Sequence, residues 1–88
     1  MANVIMKIKV MPTGVDVDLD AIAEKVKEVA PESVEIRDVG VQPIAFGLKA
    51  LIVAAVMPDE GNIGDEFVEK IRGIDGVESA EVESVELL

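Results

Sequence analysis

Residues 48–57, LKALIVAAVM, carry only one charged side chain, Lys49. Apolar side chains occupy both sets of alternating positions, so an extended segment here would have no polar face. A strand that is apolar on both faces is typical of the middle of a sheet. We therefore predict a buried central strand at this point, with a neighbouring strand on each side.

The N-terminal segment 3–11, NVIMKIKVM, alternates cleanly and predicts a strand with one face on the core. Its core face would carry Val4, Met6, Ile8 and Val10, and its other face Ile5, Lys7, Lys9 and Met11. Pro12 and Gly14 would end it.

The segment 18–30, DLDAIAEKVKEVA, changes to the spacing of an amphipathic helix, which Asp16 or Asp18 would cap and Pro31 would stop. A second helix is predicted over about residues 63–73, with Asn62 as its cap. Its inward stripe would be Ile63, Phe67, Val68 and Ile71.

Two further strands are predicted at 33–42 and 77–88, and in both the alternation changes phase midway. A bulge near Arg37–Asp38 and a bend at Glu83–Ser84 would restore a common face in each strand. Irregular strands with charged residues are typical of sheet edges.

The predicted order is βαββαβ, with right-handed crossovers. The fold class is α+β: a ferredoxin-like sandwich whose four-stranded antiparallel sheet, in the order 4-1-3-2, carries both helices on one face. Residues 1–88 are expected to form a single domain without linkers.

One sheet face would then lack helices. If Ile52, Ala54 and Val56 face the helices, then Leu51, Val53 and Ala55 lie on the open face. Such a patch would suit a partner or a dimer. Alternatively, the alkyl stems of Lys7 and Lys9 lie across it.

Composition argues against catalysis. The chain has no His and no Cys, and it lacks both a phosphate-binding loop and a dinucleotide fingerprint. The acidic runs 16–20 and 58–66 do not match a calcium loop. We expect no catalytic residues, no cofactor and no metal site. The net charge of −10 disfavours direct contact with nucleic acid. We also expect no membrane segment, a cytoplasmic location and a monomer when free.

Residues 41–51, VQPIAFGLKAL, hold one of the chain's two aromatic side chains, Phe46, between Pro43 and Gly47. Two interpretations are open from the residues alone. Phe46 folds back over the end of the core, or it is an anchor for another protein. Lys49 is either solvated or part of the same contact.

The segment 43–51, PIAFGLKAL, resembles the signature of the guanine-nucleotide exchange domain family of elongation factor 1-beta. The acidic residues Asp59 and Glu60, with Gly64 and Asp65, resemble the loop and helix start that follow it. The chain length and the opening VIMKIKVMP resemble the stand-alone archaeal form of that family. The resemblance extends along essentially the whole chain, but only the central segment is specific.

The resemblance implies a guanine-nucleotide exchange factor that binds the GTPase elongation factor 1-alpha and speeds release of its GDP during translation elongation. It also implies two contact regions, which the predicted topology places at opposite ends of the sheet. The residues concerned are Pro43, Ile44, Phe46, Gly47 and Lys49 in the hairpin and Glu86, Leu87 and Leu88 at the C-terminus.

The C-terminus departs from the eukaryotic members, which place a lysine there, whereas this chain ends VESVELL. The alternative function is a ferredoxin-like small-molecule regulatory or dimerisation module without exchange activity.

Overall fold

The computed structural model describes residues 3–59 and 61–88. The elements follow in the predicted order. They are β1 (Asn3–Pro12), α1 (Leu19–Val29), β2 (Glu35–Pro43), β3 (Lys49–Pro58), α2 (Ile63–Arg72) and β4 (Val77–Leu87). The strands form an antiparallel sheet in the order β2-β3-β1-β4, which confirms the predicted 4-1-3-2 order read from the other edge.

The two central strands, β1 and β3, build most of the core. Ile8 lies opposite Val53 and Val10 lies opposite Leu51, and all four side chains are buried. Burial of these aliphatic side chains under the helices is the main favourable term in folding, because the chain has few aromatic side chains to bury. The prediction of β3 as a central strand is confirmed.

Each helix presents the expected apolar stripe to the sheet. Ile22 and Val26 of α1 are buried, as are Phe67, Val68 and Ile71 of α2.

The two helices begin differently. The Asp18 carboxylate accepts a hydrogen bond from the Asp20 backbone N–H at 3.0 Å, so Asp18 rather than Asp16 caps α1. Asn62 occupies the cap position of α2, but the prediction that its side chain caps the helix was wrong. Only its backbone carbonyl bonds the helix, by accepting from the Glu66 N–H at 2.8 Å.

The faces of β3 are the reverse of the assignment considered from the sequence. Leu51, Val53 and Ala55 belong to the core cluster under the helices, whereas Ile52, Ala54 and Val56 lie on the open face. Both sets are apolar, so alternation alone could not orient the strand.

The open face is nevertheless covered. Ala54 and Val56 are only 9% and 8% exposed although neither belongs to the core cluster beneath the helices. Lys7 lies opposite Ala54 and Lys9 lies opposite Ile52. This arrangement favours coverage by lysine stems over an exposed docking patch.

Both edge strands contain the predicted irregularity. The β2–β3 register shifts between Ile36 and Asp38, and the β1–β4 register shifts so that Glu83 has no partner on β1. Each shift returns the following apolar residues to the helix side of the sheet.

Helix α2 crosses the sheet obliquely. At its start, a Cβ added to Gly64 would lie 2.6 Å from Cε of Met6, on β1. Near its end, Nε of Arg72 donates to the carbonyl oxygen of Ala80, on the edge strand β4, at 3.2 Å. The helix therefore covers the first part of β4 and leaves the later residues of that strand bare. Neither helix of the described chain has the length and apolar character needed to span a bilayer.

Candidate protein-binding surfaces at the two ends of the sheet

The large hydrophobic side chains that the described residues leave exposed fall into two groups. The hairpin patch is Val15, Val41, Ile44 and Phe46, and the C-terminal patch is Val82, Val85, Leu87 and Leu88. The strand register places the groups toward opposite ends of the sheet, in a molecule 42 Å along its longest axis.

The hairpin between β2 and β3 closes with a tight turn. The Leu48 N–H donates to the Ala45 carbonyl at 2.9 Å. Between them, Phe46 has a φ of 53° and Gly47 a φ of 79°. Positive φ at both central positions is the signature of a type I′ turn, whose twist matches that of paired strands. Gly47 adopts this conformation without strain, whereas Phe46 does not.

Phe46 is the most conspicuous side chain of the hairpin patch. It is 98% exposed, which rules out the interpretation that it folds over the core. A bulky residue in the left-handed region costs of order 1–3 kcal/mol, and such strain clusters at functional sites. The fold thus holds an aromatic ring in water, in an unfavourable backbone conformation, with no burial in return.

Two members of the hairpin patch were missed by the sequence analysis. Val15 lies in the loop between β1 and α1, and a Cβ added to Gly47 would be 3.8 Å from its Cγ1. Val15 and Val41 both line a shallow depression of about 330 Å³, together with Lys49 and the start of α1. The signal available was Val15 itself, an isolated apolar residue between a glycine and an aspartate in a predicted loop.

The C-terminal patch follows from the oblique path of α2. Val82, Val85 and Leu87 point to the helix side of the sheet, yet they are 43%, 50% and 71% exposed. The chain end is held in place, because the Leu88 N–H donates to the Asn3 carbonyl at 2.9 Å. The sequence showed which face these residues share, but it did not show that the helix stops short of them.

All eight site residues predicted from the sequence are exposed. The structure groups them as two separate sets, residues 43–49 and residues 86–88, and does not bring the sets together. Glu86 lies opposite Ile5 on the open face, so it is on the other side of β4 from Leu87.

Two further expectations from the sequence concern the acidic loop and metal binding. Glu60, part of the acidic loop in the family resemblance, lies outside the described residues. Within residues 3–59 and 61–88 no cluster of three potential metal ligands occurs.

A small α+β domain with an exposed apolar group at each end is typical of proteins that act by binding other proteins. Comparison with known proteins gives the particular family. The family model described as "EF-1 guanine nucleotide exchange domain" matches residues 5–88. The chain belongs to this family.

Curated relatives support the assignment over the full length. "Elongation factor 1-beta" of Archaeoglobus fulgidus is 58% identical over 88 residues, covering 100% of both chains. The protein of that name from Staphylothermus marinus is 41% identical, covering 97% of this chain and 96% of its own length. That from Pyrococcus horikoshii is 48% identical, covering 94% and 92%.

A solved structure agrees on the fold alone. The C-terminal domain of the MgtC protein from Mycobacterium tuberculosis superposes with a TM-score of 0.58 at 9% identity, covering 100% of this chain and 88% of that one. The family match decides between the two functions considered from the sequence: the chain is a guanine-nucleotide exchange factor of translation elongation.

Proposed function

We propose that this chain promotes GDP release from the GTPase elongation factor 1-alpha by contacting it at both ends of the sheet. The observation that carries this proposal is Phe46, 98% exposed at a φ of 53°. The hydrogen-bonded turn already orders the backbone that carries the ring, so binding loses little further backbone entropy there, and aromatic side chains at the centre of an interface often dominate affinity.

The hairpin end is the anchor. Pro43 restricts φ before the turn, Gly47 supplies the left-handed conformation that closes it, and the exposed Ile44 adds apolar area beside the ring. Lys49 lies at the edge of the same depression, where it can meet an acidic or carbonyl group of the partner.

The C-terminal end acts on the nucleotide site. The family resemblance directs Glu86, Leu87 and Leu88 toward the region of the GTPase that holds phosphate and Mg²⁺. None of these side chains is a cation. The end of β4 therefore works by steric displacement, or by a carboxylate that competes for the ion.

Exchange of this kind requires no bond making by the chain itself. It requires only that the factor bind the nucleotide-free GTPase more tightly than the GDP-bound form, since binding linkage is reciprocal. The absence of His and Cys from the sequence is compatible with that role. We further propose that residues 1–88 act as one domain, as a cytoplasmic monomer when free, with no catalytic chemistry and no direct nucleic-acid contact.

The test is release of fluorescently labelled GDP from purified elongation factor 1-alpha. Addition of the chain should accelerate release, and Phe46→Ala should raise the concentration needed for half of the maximal effect. Val29→Ala on α1, a partly buried core position, is a control whose effect is confined to stability. Release at the spontaneous rate in the presence of the folded wild-type chain would refute the proposal.

A further inference from the structure

The edge strand β4 has an outer edge that is open over its second half. In the described part of the chain, β4 is hydrogen-bonded on one side only, to β1. The carbonyl of Ala80 is occupied by Arg72, whose guanidinium is in turn held by Glu69 at 2.6 Å. Beyond Ala80, β4 receives no side-chain hydrogen bond from the described residues.

The two faces of this open segment differ sharply. The helix side carries Val82, Val85 and Leu87, and the opposite side carries Glu81, Ser84 and Glu86. The extra residue, Glu83, resets the alternation so that the valines before and after it point the same way. The open edge thus has one continuous apolar side and one acidic side.

A second copy of this chain is a poor occupant of that edge. Pairing β4 with β4 would bring glutamates of one chain beside those of the other, and like charges on neighbouring strands are destabilising. Each chain also carries a net charge of −10, which opposes self-association at neutral pH.

We propose that residues 81–87 of β4 accept an extended segment of the GTPase as a fifth strand, in which lysine or arginine alternates with aliphatic residues. The aliphatic side chains would cover Val82, Val85 and Leu87, and the basic ones would face Glu81 and Glu86. Backbone pairing supplies affinity in such strand addition, and the alternating side chains supply specificity. This inference rests on the proposed function, since the GTPase is its partner.

Residue-resolved hydrogen exchange of the isotopically labelled chain tests the pairing directly. In the free chain, amides of residues 81–87 that point away from β1 should exchange quickly. In complex with nucleotide-free elongation factor 1-alpha, those same amides should become protected, giving an alternate-residue pattern. Docking of side chains alone would leave the outward amides exchanging at nearly their free rates, and that result would overturn the proposal.

Charge variants give a second measurement. The variant Glu81→Gln/Glu86→Gln should slow association with the GTPase about three- to ten-fold at low salt. The control Glu24→Gln/Glu28→Gln makes the same charge change on α1, which packs on the other half of the sheet, and should have a much smaller effect. Equal slowing by both variants would mean that only net charge matters.

The outcomes separate this inference from the proposed function. If the chain accelerates GDP release while the outward amides stay unprotected, the strand addition is wrong and the exchange function stands. If the GTPase neither binds nor responds, both are wrong. Protection of the same amides in concentrated solutions of the chain alone would replace the GTPase segment with a second copy.

Discussion

The two phenylalanines of the chain allow one chemical change to be made in two opposite environments. Phe46 is 98% exposed, whereas Phe67 is fully buried in the core beneath α2. Phe67→Ala removes core packing and should lower the free energy of unfolding by about 3–5 kcal/mol. Phe46→Ala removes no packing and should change it by less than about 0.5 kcal/mol.

For binding to elongation factor 1-alpha, we expect Phe46→Ala to have the larger effect of the two substitutions. A Phe side chain buries about 150–250 Å², which at about 25 cal/mol per Å² is roughly 4–6 kcal/mol. Ordering costs reduce this gross figure, and central interface aromatics are typically worth about 2–4 kcal/mol. Phe46→Ala should therefore weaken binding to elongation factor 1-alpha roughly 30- to 700-fold.

A third variant tests the backbone strain. Phe46→Gly relieves a left-handed conformation that costs about 1–2 kcal/mol, offset by about 0.4–1 kcal/mol of extra unfolded-state entropy. We expect a net stabilisation of about 0.5 kcal/mol, or a rise in Tm of about 2–4 °C. Phe46→Gly should weaken binding to the GTPase as much as Phe46→Ala does, because both variants lack the ring.

Stability is measured by urea unfolding monitored by circular dichroism, because the chain has no Trp or Tyr to report by fluorescence. Affinity is measured by calorimetric titration with the GTPase. A stability loss above about 2 kcal/mol for Phe46→Ala would show that the ring packs in the fold after all. Unchanged affinity in a folded Phe46→Ala variant would refute the anchor.

Three further predictions concern the C-terminal patch, the net charge and nucleotide binding by the isolated chain. Val85→Ser/Leu87→Ser should slow catalysed GDP release at least about ten-fold while Tm changes by less than about 4 °C, because both side chains are half or more exposed; full activity would remove this patch from the mechanism. The association rate with the GTPase should fall as salt rises from about 0.05 to 0.5 M, by stopped flow, because a chain of net charge −10 is steered by a basic partner surface; a flat rate would assign the charge to solubility alone. The isolated chain should show no micromolar GDP binding by calorimetry, because its sequence has no phosphate-binding loop; saturable heat at that concentration would contradict the protein-only mechanism.

The positions of the strands were predictable because they depend on patterns within each segment, and their order followed from the apolar character of β3 and the right-handed crossovers. Alternation in β1 and the phase changes in β2 and β4 showed where each strand lay and where a residue had to be inserted. The orientation of β3 could not be read in this way. Val53 and Ala54 are equally suited to a core, and only the positions of the helices decide which of them packs beneath a helix.

The candidate site was predictable to the extent that it lies in one continuous segment. The hairpin around Phe46 has its own turn residues and its own family signature. Val15 joins it from another loop, and Val82 becomes exposed because α2 crosses the sheet at an angle. Both depend on how elements pack against each other, which no single segment encodes.

Among the described residues, the exposed large hydrophobic side chains lie toward two unlike ends of the sheet, and this has a consequence for colloidal behaviour. If the hairpin patch of one molecule binds the C-terminal patch of the next, the contact is head-to-tail. Head-to-tail contacts build open chains unless the rotation between neighbours closes a ring. Growth would then be linear. At neutral pH the net charge of −10 keeps neighbours apart, but near the isoelectric point of about 4.2 that repulsion vanishes. Acidification should therefore bring the molecules together end to end, so that the same apolar ends that serve recognition set the solubility limit.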